Sequence, residues 1–222
     1  MEKRALIIGS SGGIGSSISQ EAEKRGYAVT GLSRRADGLD VTNQASVDAV
    51  LGALDGPFDL IFVASGILAA EGAAPEKALS QIRQENFEPV FAVNALGPAY
   101  ILRHAPRLLP QKGRSVLAVL TARVGSIGDN RIGGWHAYRA SKAAANQLVR
   151  GAAVELGRSH KEAIAVALHP GTVATDFTAD YAARHKTVSP EEAACNLCDV
   201  MENLTPDETG SFFDYAHEPV EW

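Results

Sequence analysis

The first 26 residues limit the fold most narrowly, because a short apolar run, a glycine cluster and an amphipathic stretch follow one another directly. Residues 4–8 are mostly apolar, as expected of a buried parallel strand. Residues 9–15 contain glycines in the spacing G-x-x-x-G-x-G. Apolar residues then recur at helical spacing over 14–22, and Gly26 is typical of a helix C-terminus. The order is therefore strand, glycine loop, helix.

This order is typical of proteins that bind a dinucleotide. Glycines let the backbone approach a pyrophosphate, and the helix N-terminus offers free N–H groups and the positive end of the helix dipole. A glycine cluster alone is weak evidence, but its place between a strand and a helix strengthens it. We predict that Gly9, Gly13 and Gly15 form a dinucleotide-binding loop.

A second predicted strand, residues 27–32, runs into Ser33, Arg34 and Arg35. An acidic residue about 20 positions after the glycine loop would bind a ribose hydroxyl and favour NAD, whereas an arginine there favours the 2′-phosphate of NADP. The first acidic residue after the strand is Asp37. The pattern thus predicts NADP(H) as the preferred cofactor, with NAD(H) as the second choice. The other interpretation is a solvated turn that carries two arginines.

Tyr138 and Lys142 lie four residues apart in an alanine-rich stretch that is predicted to be helical. Residues i and i+4 share one helix face, so the phenol and the ammonium can converge. A fixed cation favours the phenolate, which would lower the pKa of Tyr138 from about 10 and suit it to acid–base chemistry. Such a pair is common by chance, and alone it would indicate only an amphipathic helix.

Together, the glycine loop, the arginine pair and Tyr138–Lys142 make the chain similar to the short-chain dehydrogenase/reductase family along essentially its whole length. The resemblance implies one domain over residues 1–222 with a Rossmann-type fold: a doubly wound parallel sheet with helices on both faces. The alternation of predicted strands and helices agrees with this fold. Residues 125–130 and 133–138 resemble a subgroup that contains the C-factor signalling proteins and the sniffer-type carbonyl reductases.

The resemblance also implies roles for single residues. Tyr138 would act as acid and base, Lys142 would lower its pKa and hold the nicotinamide ribose, and Asn94 would support a water relay to Lys142. Besides these and the residues named for the glycine loop and the arginine turn, the expected cofactor contacts are Ser11, Ile14, Asp40, Val41, Ala64, Ser65, Gly66, Pro170, Gly171, Val173 and Thr175.

One position departs from the family pattern. The family has a serine at the end of the strand that is predicted here over 115–122, and alignment without gaps places Ala122 there. Alternation along a strand should direct Thr121 to the opposite face. Ser126 is twelve residues before Tyr138, close to the spacing of other family branches, but it falls in the loop beyond. Loss of one donor to an oxyanion costs about 10²–10³ in rate.

Two functions are therefore expected. The first is an NADP(H)-dependent oxidoreductase that reduces a ketone or aldehyde, or oxidises the alcohol, with Ala122 as a true vacancy or Ser126 as its substitute. The second is a cofactor-binding signalling or regulatory protein with little turnover.

Composition argues against other classes. A net charge of −5 without a basic stripe argues against nucleic acid, and no apolar run reaches the length of a membrane span. Cys195 and Cys198 lie inside a helix predicted to begin at Ser189, which favours core packing over a redox or zinc site. We expect a cytoplasmic homodimer or homotetramer without a metal, whose partner is a small-molecule substrate.

The remaining predicted elements complete the alternating pattern. Residues 39–41 resemble the family's short third strand. Further strands are predicted at residues 59–64, 163–168 and 211–215, and one long helix near residues 78–109. Family members use the segment at 176–186 as a substrate lid, and its shortness here predicts an open pocket.

Overall fold

A computed structural model of the protein describes residues 2–175, 177 and 187–222. Six strands pair in parallel in the order β2-β1-β3-β4-β5-β6. This confirms the predicted doubly wound parallel sheet, and the strand order reverses between β1 and β3. The strands are β1 Lys3–Ile8, β2 Tyr27–Leu32, β3 Leu60–Val63, β4 Ser115–Leu120, β5 Ala163–His169 and β6 Phe212–Asp214.

Helices cover both faces of the sheet. Helices α1 and α8 pack on one face, and α3, α5, α6 and α7 pack on the other. A π-helical turn, Ala92–Leu96, joins α4 to α5, and a 3₁₀ turn, Arg123–Gly125, follows β4. The helices are α1 Gly13–Lys24, α2 Arg34–Asp37, α3 Gln44–Gly52, α4 Gln84–Phe91, α5 Gly97–Leu102, α6 Ala105–Leu108, α7 His136–Leu156 and α8 Pro190–Asn203.

The buried parts of the central strands are almost entirely apolar, since both faces of the sheet are covered there. In β1, Leu6 and Ile8 contact the core on the α7 side, whereas Ala5 and Ile7 contact the core on the α1 side, since successive side chains alternate. Burial of each large aliphatic side chain contributes about 1.5–3 kcal/mol. Two such cores hold the carboxyl ends of the strands in fixed positions.

The strand predicted at residues 39–41 is wrong. The backbone N–H groups that would pair with a neighbouring strand form other hydrogen bonds. The Leu39 N–H donates to the Ser33 carbonyl, and the Asp40 N–H donates to Ser46 Oγ. The segment therefore runs on as a loop, and Val41 packs against Gly97.

The helix predicted near residues 78–109 is divided into several pieces. Proline lacks an N–H and disrupts a helix interior but fits its first turn. Pro98 and Pro106 lie in the first turns of α5 and α6, whereas Pro89 lies inside α4. The backbone stays right-handed helical from α4 through the π-helical turn into α5. The predicted strand at 115–122 also ends early, at Leu120. The predicted lid at 176–186 lies outside the described residues, except for Phe177.

The two cysteines of α8 have different surroundings. Cys198 is buried in the core between α8 and α1, as predicted, and burial raises the pKa of its thiol to about 12. Cys195 is exposed. Within residues 2–175, 177 and 187–222, no group of His, Cys, Asp and Glu side chains is arranged to hold a metal ion. No helix in those ranges has the length and apolar character needed to cross a bilayer.

An aromatic disulfide reagent at mildly alkaline pH should titrate one thiol in the native protein and both thiols after denaturation. Cys195 is accessible, whereas burial keeps Cys198 protonated and out of contact with the reagent. Cys195→Ser should abolish the native reaction, and Cys198→Ala should preserve it. Equal rates for both thiols in the native state would contradict the burial of Cys198.

Candidate active site

A cavity of about 1270 Å³ opens at the carboxyl ends of the central strands. It lies where the strand order reverses, which is where open parallel sheets bind their ligands. Loops that follow β1, β3, β4 and β5 form much of its wall, at residues 11–15, 64–66, 120–124 and 169–175.

Glycines allow the first loop to pack as closely as it does. Gly9 has a φ of +87°, and a Cβ there would come within 3.1 Å of the Ser65 nitrogen. A Cβ on Gly15 would overlap the carbonyl oxygen of Gly9, and a Cβ on Gly13 would lie 2.9 Å from Thr175 Cγ2. No described side chain caps α1, and its first turn contains no acidic residue. The N-terminus of α1 therefore presents bare backbone to the cavity, as an anionic ligand requires.

The arginine turn follows β2, beside the glycine loop. Ser33 is buried and caps α2, since its Oγ accepts the Ala36 N–H at 3.1 Å. Arg34 and Arg35 are exposed, and neither forms an ion pair with a residue that the structure describes. This turn and the residues Asp40 and Val41 lie outside the cavity wall.

Tyr138 and Lys142 lie one turn apart on α7, and both line the cavity. Both are buried, with 6% and 4% of their surface exposed. Lys142 Nζ lies 5.9 Å from the centroid of the Tyr138 ring and donates to the Leu120 carbonyl at 2.9 Å. The end of β4 thus holds the ammonium beside the phenol.

Asn94 is fully buried in the π-helical turn. Its amide donates to the Ile67 carbonyl at 2.8 Å and to Ser141 Oγ at 3.0 Å, and its Oδ1 accepts the Ile67 N–H at 2.8 Å. A Cβ on Gly66 would lie 3.3 Å from Lys142 Nζ and 3.5 Å from Asn94 Oδ1. Gly66 therefore leaves room between these two polar groups.

Burial governs the protonation of the pair. Loss of hydration raises the pKa of Tyr138 and lowers the pKa of Lys142 to about 8. The direction is opposite to the predicted lowering of the Tyr138 pKa by Lys142, and its cause is the desolvation of the buried phenol. The arrangement keeps the phenol protonated and lets Lys142 exchange its proton near neutral pH.

Residues 121–126, where the family has its serine, differ from the prediction at Thr121. Ala122 is buried and lines the cavity, but Thr121, expected on the opposite face, lines it too. Strand alternation no longer applies, since β4 has already ended at Leu120. The Thr121 hydroxyl is shielded from solvent and has no partner among the described residues. Ser126 is buried but is not part of the cavity wall, and its Oγ accepts the Asp129 N–H at 3.0 Å.

The sequence patterns did not reveal Glu76, which anchors the beginning of α7. Its carboxylate accepts the Ala137 N–H at 3.2 Å and an Asn86 N–H at 2.6 Å, and its backbone carbonyl accepts the Trp135 N–H. Glu76 is 3% exposed. It lies 61 residues from Ala137 in sequence, so no local spacing could have indicated the contact.

The comparisons with known sequences agree with this geometry. The sequence model of the family described as enoyl-(acyl carrier protein) reductase matches residues 14–213. The 1-hydroxy-2-glutathionyl-2-methyl-3-butene dehydrogenase of Rhodococcus sp. (strain AD45) is 35% identical over an alignment 226 residues long, gaps included, that covers 93% of this chain and 94% of that protein. The C-signal protein of Myxococcus xanthus is 35% identical over 148 residues, which cover 65% of this chain and 84% of that protein.

Solved structures share the fold. A short-chain dehydrogenase/reductase from Burkholderia multivorans with bound NADP has a TM-score of 0.84 at 24% identity, with 100% of both chains covered. The carbonyl reductase Sniffer of D. melanogaster has a TM-score of 0.81 at 20% identity, again over 100% of both chains. At these identities the likeness of the solved structures establishes the fold. The proteins similar to this chain thus include a C-signal protein and a Sniffer carbonyl reductase, as the sequence resemblance indicated.

Gly15→Ala should lower the free energy of unfolding by about 1–3 kcal/mol, because the new methyl group overlaps the backbone of the glycine loop. Gly151→Ala is the matched control. Gly151 lies within α7, with open space at its Cβ position, so alanine should raise the free energy of unfolding by up to about 1 kcal/mol. Urea unfolding followed by circular dichroism measures both values, and equal effects would contradict the close approach.

Proposed function

Because the chain belongs to the short-chain dehydrogenase/reductase family of oxidoreductases, we propose that it transfers hydride between NADP(H) and a small carbonyl compound or alcohol. One observation carries the proposal: Tyr138 and Lys142 lie together in the cavity that the glycine loop borders. The structural relatives support it, since one holds NADP and another is named a carbonyl reductase. The Rhodococcus relative is named a dehydrogenase, so the proposal covers both directions of the reaction.

The wall of the cavity fits a nicotinamide dinucleotide. The glycine loop leaves backbone bare for the pyrophosphate. Outside this wall, Arg34 and Arg35 are exposed, form no ion pair with a residue that the structure describes, and suit the 2′-phosphate. Ser65 Oγ is buried without a described partner, which suits a polar ligand atom beside Gly66. The nicotinamide end would lie by residues 170–175, and its ribose by Lys142. When bound, the cofactor supplies or accepts the hydride.

Tyr138 performs the proton transfer. In the reductive direction its Oη donates a proton to the carbonyl oxygen as the carbonyl carbon gains hydride, and the raised pKa keeps that proton in place beforehand. Lys142, with a pKa of about 8, can then return a proton to the phenolate. Asn94, fixed by its bonds to Ile67, positions the polar path that refills Lys142.

The alternative expectation, a regulatory protein with little turnover, is favoured less. Similarity to the C-signal protein suggests it, but the chain retains Tyr138, Lys142 and Asn94 around an open cavity. The deciding experiment follows NADPH absorbance during incubation with a panel of aldehydes and ketones, together with calorimetry of NADPH binding. Turnover supports the enzyme, whereas binding without turnover across the panel would support the regulator.

Tyr138→Phe should lower kcat by about 10²–10⁴, because it removes the proton donor, while NADPH binding measured by calorimetry remains. Tyr27→Phe is the control. Tyr27 is the first residue of β2, so it lies at the end of the strand away from the cavity, and the variant should keep wild-type turnover. Full activity of Tyr138→Phe on any substrate would disprove the assignment.

Arg34→Ala should weaken NADPH binding about tenfold or more and change NADH binding little, since charge-assisted bonds to phosphate are strong. Arg158→Ala removes an exposed arginine beyond the C-terminus of α7 and should change neither value. Calorimetry gives all the affinities. Equal affinity of the wild-type protein for NADH and NADPH would contradict the role of the arginine turn.

Ala122→Ser should raise kcat by at most about 10²–10³, because it adds one donor near the carbonyl oxygen that Tyr138 protonates. Ser126→Ala should have little effect on kcat, since Ser126 is not part of the cavity wall and its hydroxyl accepts the backbone N–H of Asp129. Steady-state kinetics on one substrate compares both variants. The opposite pattern, a damaging Ser126→Ala and a silent Ala122→Ser, would show that Ser126 substitutes for the missing serine.

A further inference from the structure

The cavity concentrates positive charge in a chain whose net charge is −5. Asp129 is the one acidic residue among the described residues of its wall. His169 adds no charge at neutral pH, because burial, together with Arg123, lowers its pKa to about 4. Besides Lys142, the basic side chains of the wall are Lys77, Arg123, Arg131 and Arg139.

Two of these four already have partners. Arg123 forms ion pairs with Asp214 at 2.9 Å and with Asp129 at 3.7 Å. Arg139 donates to two loop carbonyls at 3.0 and 3.4 Å, which fixes its guanidinium without neutralising it. Neither is the first choice to bind a free anion.

Lys77 and Arg131 remain available. Both are exposed, and neither forms an ion pair with a residue in the described part of the chain. The loop that contains Arg131 lies against the Lys77 segment, since a Cβ on Gly134 would lie 3.8 Å from Lys77 Cα. By sequence, residues 176 and 178–186 add two acidic and two basic side chains, which leaves the balance of charge unchanged.

An apolar surface lies beside the proposed proton donor. The ring centroids of Trp135 and Phe177 are 6.2 and 5.8 Å from that of Tyr138. Ile132, also part of the cavity wall, is 90% exposed. The site thus combines a buried phenol, an apolar surface and two exposed cations at its rim.

These cations do not coincide with the predicted cofactor phosphate site. Arg34 and Arg35 follow β2, whereas Arg131 lies in the connection from β4 to α7. In the sheet, β2 and β4 are three strand spacings apart, about 14 Å. Lys77 and Arg131 are therefore left for the substrate.

We propose that the substrate is anionic: a carbonyl compound, or the corresponding alcohol, with an apolar body and a carboxylate that Lys77 and Arg131 bind. This inference rests on the hydride transfer proposed above. Arginine binds a carboxylate through two parallel hydrogen bonds, and lysine adds a point charge. The carboxylate at the rim directs the reacting carbonyl toward Tyr138.

Terephthalaldehydic acid and its methyl ester test the proposal, because they share one aldehyde group and differ by one charge. With NADPH and wild-type protein, kcat/KM for the acid should exceed that for the ester by about tenfold at low salt, and the advantage should shrink as salt is added. The double variant Lys77→Ala/Arg131→Ala should lower kcat/KM for the acid about tenfold more than for the ester.

The double variant Lys112→Ala/Arg158→Ala is the matched control. It also removes one lysine and one arginine charge, from exposed residues in the loops before β4 and β5. These loops lie at the amino ends of the strands, whereas the cavity lies at the carboxyl ends. This control variant should keep the wild-type ratio of kcat/KM for the acid to kcat/KM for the ester. Equal kcat/KM for the two aldehydes, or an equal loss of the ratio in both double variants, would overturn the anionic substrate and leave hydride transfer standing.

If neither aldehyde is reduced, calorimetry with terephthalate and NADPH-saturated protein separates the two proposals. Binding that weakens in Lys77→Ala/Arg131→Ala but not in the control variant supports the anion site even though the aldehyde reaction fails. Absence of binding would overturn the anion site.

Discussion

The contact between Gly125 and the backbone of α7 is the constraint on which the site depends. A Cβ on Gly125 would lie 2.8 Å from Lys142 Cβ and 2.9 Å from the Lys142 carbonyl carbon, so only glycine lets the turn after β4 lie directly against the helix. This contact, the bond from Lys142 to Leu120 and the anchor at Glu76 hold the first turns of α7 over the cavity. Farther along α7, Val149, Ala153 and Leu156 pack in the core on this face of the sheet.

Burial and charge at this site act together. Both Tyr138 and Lys142 lose water on burial, and this desolvation raises the pKa of the phenol and lowers the pKa of the ammonium. Asp129, the acidic residue of the described wall, is exposed and turned to Arg123. The cavity is thus left with unbalanced positive charge, and an anionic ligand relieves the repulsion among its basic groups.

The sequence predicted those parts of the fold that depend on local periodicity. The strands, the glycine loop, the helix of Tyr138 and the buried Cys198 follow from apolar runs, spacing and capping residues. The prediction of a strand at 39–41 was wrong because the Asp40 N–H bonds to the side chain of Ser46 instead of to a neighbouring strand. The predicted orientation of Thr121 was wrong because β4 ends before Thr121, although the apolar run continues. Glu76 and the low pKa of Lys142 were out of reach, since both depend on contacts between distant segments.

The proposed anion site bears on the missing serine. The family has a serine at the position of Ala122. In this structure the Thr121 hydroxyl is shielded from solvent, and Ser126 Oγ accepts the Asp129 N–H. Contacts to a remote part of a substrate can orient the reacting group and so contribute to kcat as well as to binding. A carboxylate bound by Lys77 and Arg131 would contribute in this way. The wild-type protein would then tolerate Ala122 best with the substrates that carry this charge.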